Sequence, residues 1–178
     1  ALNRVNSIMI GVMARILLGL GSNLGESQIT FSRCIERLSA EGTIIAISRL
    51  WRTQAVGPPQ PDYLNGAIVI DWPAGPRSLL SRCLDLEAQA GRDRTQEEKW
   101  GPRVLDLDLL LAETVVCRGP ELELPHPRFH RRRFALEPAF EVAPEWTHPL
   151  LGCTITELVH EARDRDPEGM ISVTPFAT

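Results

Sequence analysis

The sequence has no apolar run able to carry it across a membrane. The stretch richest in apolar residues, Ile8 to Leu20, is broken by Arg15 and is shorter than the span of about 20 residues that a bilayer requires. No small-residue cleavage site closes it as a secretory signal would. Base is not in surplus either: the formal net charge is -4, which speaks against a nucleic-acid partner, since neutralising a phosphate backbone takes an excess of Lys and Arg. Cysteine is sparse. Cys34, Cys83, Cys117 and Cys153 contain no CxxC pair, so neither a zinc knuckle nor a redox motif is present. Their apolar settings predict reduced thiols that fill core space, as a cytoplasmic protein allows. No Walker A lysine is found, which excludes a P-loop kinase. Gly19-Leu20-Gly21-Ser22-Asn23-Leu24-Gly25 begins like a dinucleotide fingerprint. Its third glycine arrives one residue late, and the later strands do not alternate with helices as a Rossmann sheet needs. His126 and His130 have zinc-like spacing, but Pro127 and the missing acidic residue argue against a zinc helix.

What is present suits one soluble domain. The chain has 178 residues, 43% apolar and 24% charged, enough to build a core without metal or disulfide staples. We read residues 1–12 as an extension and 13–178 as the domain. Arg15 to Gly21 is a short apolar run, hence a buried strand. Gly25 to Ala40 places Phe31, Cys34, Ile35 and Leu38 at helical spacing, with Gly42 as a stop. Thr43 to Arg52 predicts a second strand, and Gln54 to Asp62, with three prolines and a glycine, a loop. Tyr63 to Trp72 reads as a third strand and Pro76 to Gly91 as a helix, with proline early and glycine at its end. Arg92 to Val104 is charged and aperiodic, which predicts a long mobile loop. A fourth strand follows over Leu105 to Leu111, then a short one over Leu122 to Leu124 and closing helices over Arg133 to Val142 and Ile155 to Ala162. This order defines an α+β fold of ferredoxin-like split βαβ type: a mostly antiparallel sheet with helices on one face and the other face free for a ligand.

The sharpest local signal is Leu105-Asp106-Leu107-Asp108-Leu109. Alternate strand residues point to opposite faces, so both aspartates share one face about 7 Å apart while the leucines bury the other. Two carboxylates on one wall suit Mg²⁺, which is commonly shared between protein carboxylates and substrate phosphates. The same alternation also describes an ordinary half-buried strand with solvated aspartates. The segment just before it tips the balance. Arg92, Arg94, Lys99 and Arg103 cluster there, and Arg131, Arg132 and Arg133 form a second knot. Guanidinium groups beside a metal-binding carboxylate pair suit phosphoryl transfer, where catalysis is largely positioning and charge stabilisation.

Lys99-Trp100-Gly101-Pro102-Arg103-Val104-Leu105-Asp106-Leu107-Asp108-Leu109-Leu110 resembles the signature of the 6-hydroxymethyl-7,8-dihydropterin pyrophosphokinase family. Leu20-Gly21-Ser22-Asn23-Leu24-Gly25, Tyr63-Leu64-Asn65, Pro125-His126-Pro127-Arg128 and Arg132-Arg133-Phe134 resemble further segments of that family, in the same order from about Ala14 to about Leu158. The resemblance implies pyrophosphate transfer from ATP to the hydroxymethyl group of the pterin, with release of AMP, in folate synthesis. It implies two Mg²⁺ ions on Asp106 and Asp108. Arg92 and Arg103 would stabilise the moving phosphoryl groups, and Trp100 would close over the pterin. Tyr63 and Phe134 would sandwich the ring, Asn65 would bind its amide-like edge, and Thr53 and Val56 would offer main-chain groups. Glu87, Arg94, Lys99, His126 and Arg132 would help to bind ATP. Ala55 stands where the family usually has proline, and Lys99 where arginine is frequent. The partners implied are small molecules acting on a cytoplasmic monomer, with no nucleic acid and no membrane. The competing expectation is a non-catalytic ferredoxin-like ligand-binding or regulatory module, since fold does not fix function. Such a module has no evident need of paired metal carboxylates.

Overall fold

The computed structural model describes residues 13–55, 57–92, 101–170 and 172–176. Val56, Arg94, Lys99 and Trp100, and most of the loop expected over Arg92 to Val104, lie outside the described residues.

The chain runs β1 (Ala14–Ser22), α1 (Ser27–Ser39), β2 (Thr43–Ile47), β3 (Leu50–Thr53), β4 (Tyr63–Trp72), α2 (Gly75–Gln89) and β5 (Asp106–Ala112). A small hairpin of β6 (Cys117–Arg118) and β7 (Glu123–Leu124) follows, then a 3-10 turn (Phe129–Arg131), α3 (Arg133–Val142), α4 (Ile155–Arg165) and β8 (Ser172–Thr174). The main sheet has the order β5-β1-β4-β3-β8, with β2 also on β4, and every pairing is antiparallel. The crossover from β1 through α1 skips the position later filled by β4, which is the split βαβ topology.

Both inner helices form for the reasons visible in their sequences. In α1, Phe31, Cys34, Ile35 and Leu38 are buried at i, i+3, i+4 and i+7. In α2, Pro76 lies in the first turn, Leu79, Cys83 and Leu86 face inward, and Gly91 follows with φ +96°. Gly42 stands just past the end of α1, as expected, with its N–H donating to the Leu38 carbonyl at 2.9 Å. A Cβ there would lie 2.7 Å from Trp72 Cε3 and 2.9 Å from the Asp71 carbonyl oxygen, so the position requires glycine for space. Burial holds the Cys34 thiol protonated, its pKa pushed up to about 12; Cys83 is buried as well, whereas Cys117 and Cys153 are partly exposed.

The structure corrects the expected open face. Ile16, Leu18, Leu20, Ile68, Ile70, Leu107 and Leu109 pack on α1 and α2. On the opposite side, Leu17, Ala67, Val69 and Leu110 pack against Ala135, Leu136 and Ala139 of α3 and against the apolar side of α4. The reason lies in runs such as Ile16-Leu17-Leu18 and Ile68-Val69-Ile70, since strands buried on both faces lose their polar alternation. Helices thus cover part of the second face, and the end beyond Leu17 and Ala67 is left open.

Two details of the strands also depart from expectation. The strand expected over Thr43 to Arg52 is split at Ser48 and Arg49, and the register of β2 shifts between Ile44 and Ala46, as at a bulge that blunts a sheet edge. β8, which pairs Ser172–Thr174 with Arg52–Leu50, has no counterpart in the sequence reading.

Candidate functional site

Strand register builds the site. Gly21 of β1 pairs with Asn65 of β4 on one side and Asp106 of β5 on the other. Two residues back, Gly19 is flanked in the same way by Ala67 and Asp108. Directly opposed antiparallel residues share a face, so Asn65, Asp106 and Asp108 all rise from the face that α3 leaves open. Between them β1 presents only glycine. The central strand is therefore the bare floor of a trough with an amide-bearing wall on β4 and a carboxylate wall on β5. A Cβ on Gly21 would sit 3.7 Å from both Asn65 Oδ1 and Asp106 Cβ.

The carboxylate wall is already matched by cations. Arg92 Nη1 lies 2.7 Å from Asp106 Oδ1 and 2.8 Å from Glu87 Oε1, and Arg103 Nη1 lies 2.9 Å from Asp106 Oδ2. Arg132 Nη1 approaches Asp108 Oδ2 at 3.3 Å. Burial and the neighbouring Asp106 charge push the Asp108 carboxyl above its usual range, as expected of a desolvated carboxylate beside another. Glu87 is 1% exposed, and its Oε1 accepts the Leu107 N–H at 2.8 Å. That amide lies between the two aspartates in sequence, so Glu87 ties α2 to the strand on which both are mounted. His126 stands nearby: its N–H donates to the Leu110 carbonyl at 2.8 Å, and its Nδ1 accepts from the Arg128 N–H. Burial lowers its pKa, against the opposing pull of Asp108.

On the other wall, Asn65 Nδ2 donates to Thr53 Oγ1 at 2.8 Å, and Tyr63 Oη donates to the Gly101 carbonyl at 3.1 Å. Tyr63 is half-buried, and its Cδ1 would be 3.9 Å from a Cβ on Gly21. Phe134 opens α3 and is 38% exposed, with the Arg132 guanidinium 5.6 Å from its ring centre. Arg132 thus bridges the exposed aromatic ring and Asp108. Trp51, opposite Asn65 on β3, donates from Nε1 to Glu141 Oε1 at 3.1 Å and so fixes α3 to the sheet edge.

The structure joins Glu87, Arg92, Asp106 and Arg103 by direct contacts, sets the Arg132–Asp108 pair beside them on the same strand, with His126 among the groups acting on Asp108, and places Thr53 on β3 and Tyr63 and Asn65 on β4. Sequence reasoning missed Asn23, whose Oδ1 accepts the Arg103 N–H at 2.7 Å and whose Nδ2 donates to Gln60 Oε1 at 2.9 Å, and the role of Gly19 and Gly21. The signal was present in Leu20-Gly21-Ser22-Asn23-Leu24-Gly25, but nothing in one strand reveals which residues its neighbours will place beside it.

Paired carboxylates on a sheet face, three guanidiniums upon them and an amide-and-aromatic wall alongside line one polar trough at the uncovered end of the sheet. The family model described as 7,8-dihydro-6-hydroxymethylpterin-pyrophosphokinase matches residues 17–144, more than half of the chain. The 2-amino-4-hydroxy-6-hydroxymethyldihydropteridine pyrophosphokinase of Synechocystis sp. is 38% identical over 147 residues, covering 82% of this chain and 74% of that one. The protein of the same name from Methylorubrum extorquens is 37% identical over 161 residues, 89% of this chain and 98% of its own. Among solved structures, Plasmodium falciparum HPPK-DHPS in its wild-type form with pteroate superposes with a TM-score of 0.66 at 14% identity, over 91% of this chain. This chain covers 44% of that one, and the likeness speaks for the fold. The chain belongs to the 7,8-dihydro-6-hydroxymethylpterin-pyrophosphokinase family, whose reaction is pyrophosphoryl transfer from ATP to hydroxymethyldihydropterin in folate biosynthesis.

Proposed function

We propose that the trough described above is where this chain carries out that transfer, with the pterin against β4 and the triphosphate against β5. The observation that carries the reading is the register Asn65–Gly21–Asp106, which sets a hydrogen-bonding wall and a carboxylate wall on either side of a bare strand. Tyr63 and Phe134 hold the ring by stacking, which adds about 0.5–1.5 kcal/mol beyond burial. Asn65, with Thr53 and the backbone at Val56, selects its polar edge. The hydroxymethyl oxygen attacks the β-phosphorus of ATP and gives up its proton to solvent, the bond from that phosphorus to the bridging oxygen of the α-phosphate breaks, and AMP leaves with that oxygen. Arg92 and Arg103 stabilise the negative charge on the transferring phosphoryl groups, and Arg132, His126, Arg94 and Lys99 bind the nucleotide. Trp100 covers the pterin and keeps water out.

Magnesium fits the donor set. Among the described residues no cluster of three or more His, Cys, Asp or Glu is arranged to hold a metal, and two carboxylates completed by substrate phosphates are a usual magnesium environment. Asp106 and Asp108 would hold the ions. Bound there, magnesium would neutralise phosphate oxygens and assist displacement at phosphorus. Two ions are the number that the family resemblance implies. The same proposal takes residues 13–178 as one catalytic domain after a short extension, acting as a cytoplasmic monomer on small molecules. No helix among the described residues is long and apolar enough to cross a membrane.

The test is AMP release measured with ATP, Mg²⁺ and 6-hydroxymethyl-7,8-dihydropterin, omitting each in turn. AMP should form only with all three present. Pterin binding without AMP formation would leave the chain a ligand-binding module.

A further inference from the structure

α3 lies across the sheet. Arg132, at its N-cap position, contacts Asp108 of β5, and Glu141, in its last turn, contacts Trp51 of β3. The helical steps from Arg132 to Glu141 advance about 14 Å, and the gaps from β5 through β1 and β4 to β3 come to about 14 Å as well. The helix is thus as long as these strands are wide, with a charged tie at each end. Between the ends, Ala135, Leu136 and Ala139 rest on Leu17, Ala67 and Val69, and such apolar contact has no direction of its own. Glu137 joins the helix to α4, not to the sheet.

The two ties differ. Glu141 Oε2 accepts the Arg49 N–H at 2.8 Å, and its Oε1 accepts from Arg49 Nε at 3.0 Å and from Trp51 Nε1 at 3.1 Å. Arg49 Nη2 lies 2.8 Å from the same oxygen, and the Arg49 guanidinium stands 5.9 Å from the Trp51 ring centre. One of these donors is backbone, so the carboxylate grips the strand itself. The other end has Arg132 Nη1 at 3.3 Å from Asp108 Oδ2. Under the function proposed above, on which this inference rests, both of those groups are claimed by ligands: Asp108 by magnesium and Arg132 by the nucleotide. Glu141 is then the end of α3 that stays tied to its strand. Trp51 pairs with Asn65 and Thr53 with Tyr63, and Thr53 Oγ1 accepts from Asn65 Nδ2. The strand that Glu141 grips therefore backs the pterin wall, while the helix that carries Glu141 opens with Phe134. We propose that Glu141 is a positioning residue, which sets the spacing between Phe134 and the pterin wall once nucleotide is bound. It touches no reacting atom.

Calorimetric titration with 6-hydroxymethyl-7,8-dihydropterin tests this, with and without Mg²⁺ and an ATP analogue that carries methylene in place of the α,β-bridging oxygen. In Glu141→Ala the pterin Kd should rise about tenfold with the analogue bound and less than about twofold without it. The difference arises because the Arg132–Asp108 contact still holds α3 in the nucleotide-free chain. With ATP itself, kcat at saturating pterin should stay within about threefold of the native value while KM rises. Trp51→Phe removes one donor and leaves the Arg49 pair, and should show the same nucleotide dependence at about threefold. Should Glu141→Ala fail to fold, the nucleotide dependence of Trp51→Phe decides alone. If pterin binding weakens equally in both states, or in neither, or if kcat falls while KM holds, the tie is refuted and the functional reading stands. If the native chain binds no pterin in either state, the functional reading falls and this inference with it.

Discussion

Glu87 and Glu137 show two uses of a buried carboxylate, each 1% exposed. Glu87 points toward the carboxylate wall of the trough and holds Arg92 and the Leu107 amide. Glu137, on α3, accepts from Arg133 at 2.9 Å and from Arg163 of α4 at 2.6 Å. Burial pushes the Glu137 carboxyl up, but the hydrogen bonds from Arg163 and Arg133 outweigh it, and the group titrates below its usual 4.5. Removing one member of such a buried set leaves unpaired charge, so Glu137→Ala should destabilise the chain by about 3 kcal/mol in urea unfolding. The depressed pKa fixes the sign of the pH dependence. The unfolded state binds the proton more readily, so the stabilisation is complete above the ordinary value and fades as pH falls through the lower folded value. The stability gap between native chain and Glu137→Gln should accordingly be widest near neutrality and narrow in acid. A gap that does not change with pH would remove the ion pairs from the account. Asp106 and Asp108 were legible in the sequence because a five-residue strand pattern carries its own geometry. Asn23 was not, because its importance comes from Gln60 and Arg103, far away along the chain.

At the scale of elements, the clearest lesson lies in the glycines of β1. Gly19 and Gly21 keep the central strand bare between a carboxylate wall and an amide wall. Gly21→Ala meets neighbours only at ordinary contact distance, 3.7 Å or more, so the fold should tolerate it, with stability unchanged or raised by about 0.5 kcal/mol. The added methyl group stands on the floor of the trough, and pterin affinity should fall about tenfold. Calorimetric titration beside a thermal melt separates the two effects, and unchanged affinity would place the ring elsewhere. Most elements could be read from periodicity: α1 and α2 show one apolar stripe each, and β5 alternates where it meets the site. Reading failed where strands are covered twice. The continuous run Leu109-Leu110-Leu111 announces burial on both faces, but it does not say that α3 and α4 supply the second cover. β8 is three residues long and is defined by its partner β3 rather than by any pattern of its own.

For the whole molecule, two helical layers of unequal extent explain where the open trough lies. The layer of α1 and α2 spans the sheet, while that of α3 and α4 stops short and leaves one end of the second face open. Arg132 and Phe134 sit at the edge of the shorter layer, so the helix that seals part of the face also furnishes groups to the open end. Trp51 and Glu141 hold that layer in place from β3. The split between a β4 wall and a β5 wall makes the proposed function separable by experiment: on that proposal, carboxylates on β5 would act through metal and phosphate, not through the ring. The most direct measurement is AMP formation by Asp106→Ala set beside the affinity of the same variant for 6-hydroxymethyl-7,8-dihydropterin. Turnover should drop by about a thousandfold or more, the scale of lost charge stabilisation at a transferring phosphoryl group, with pterin affinity changed less than about threefold. Equal losses in turnover and affinity would contradict it.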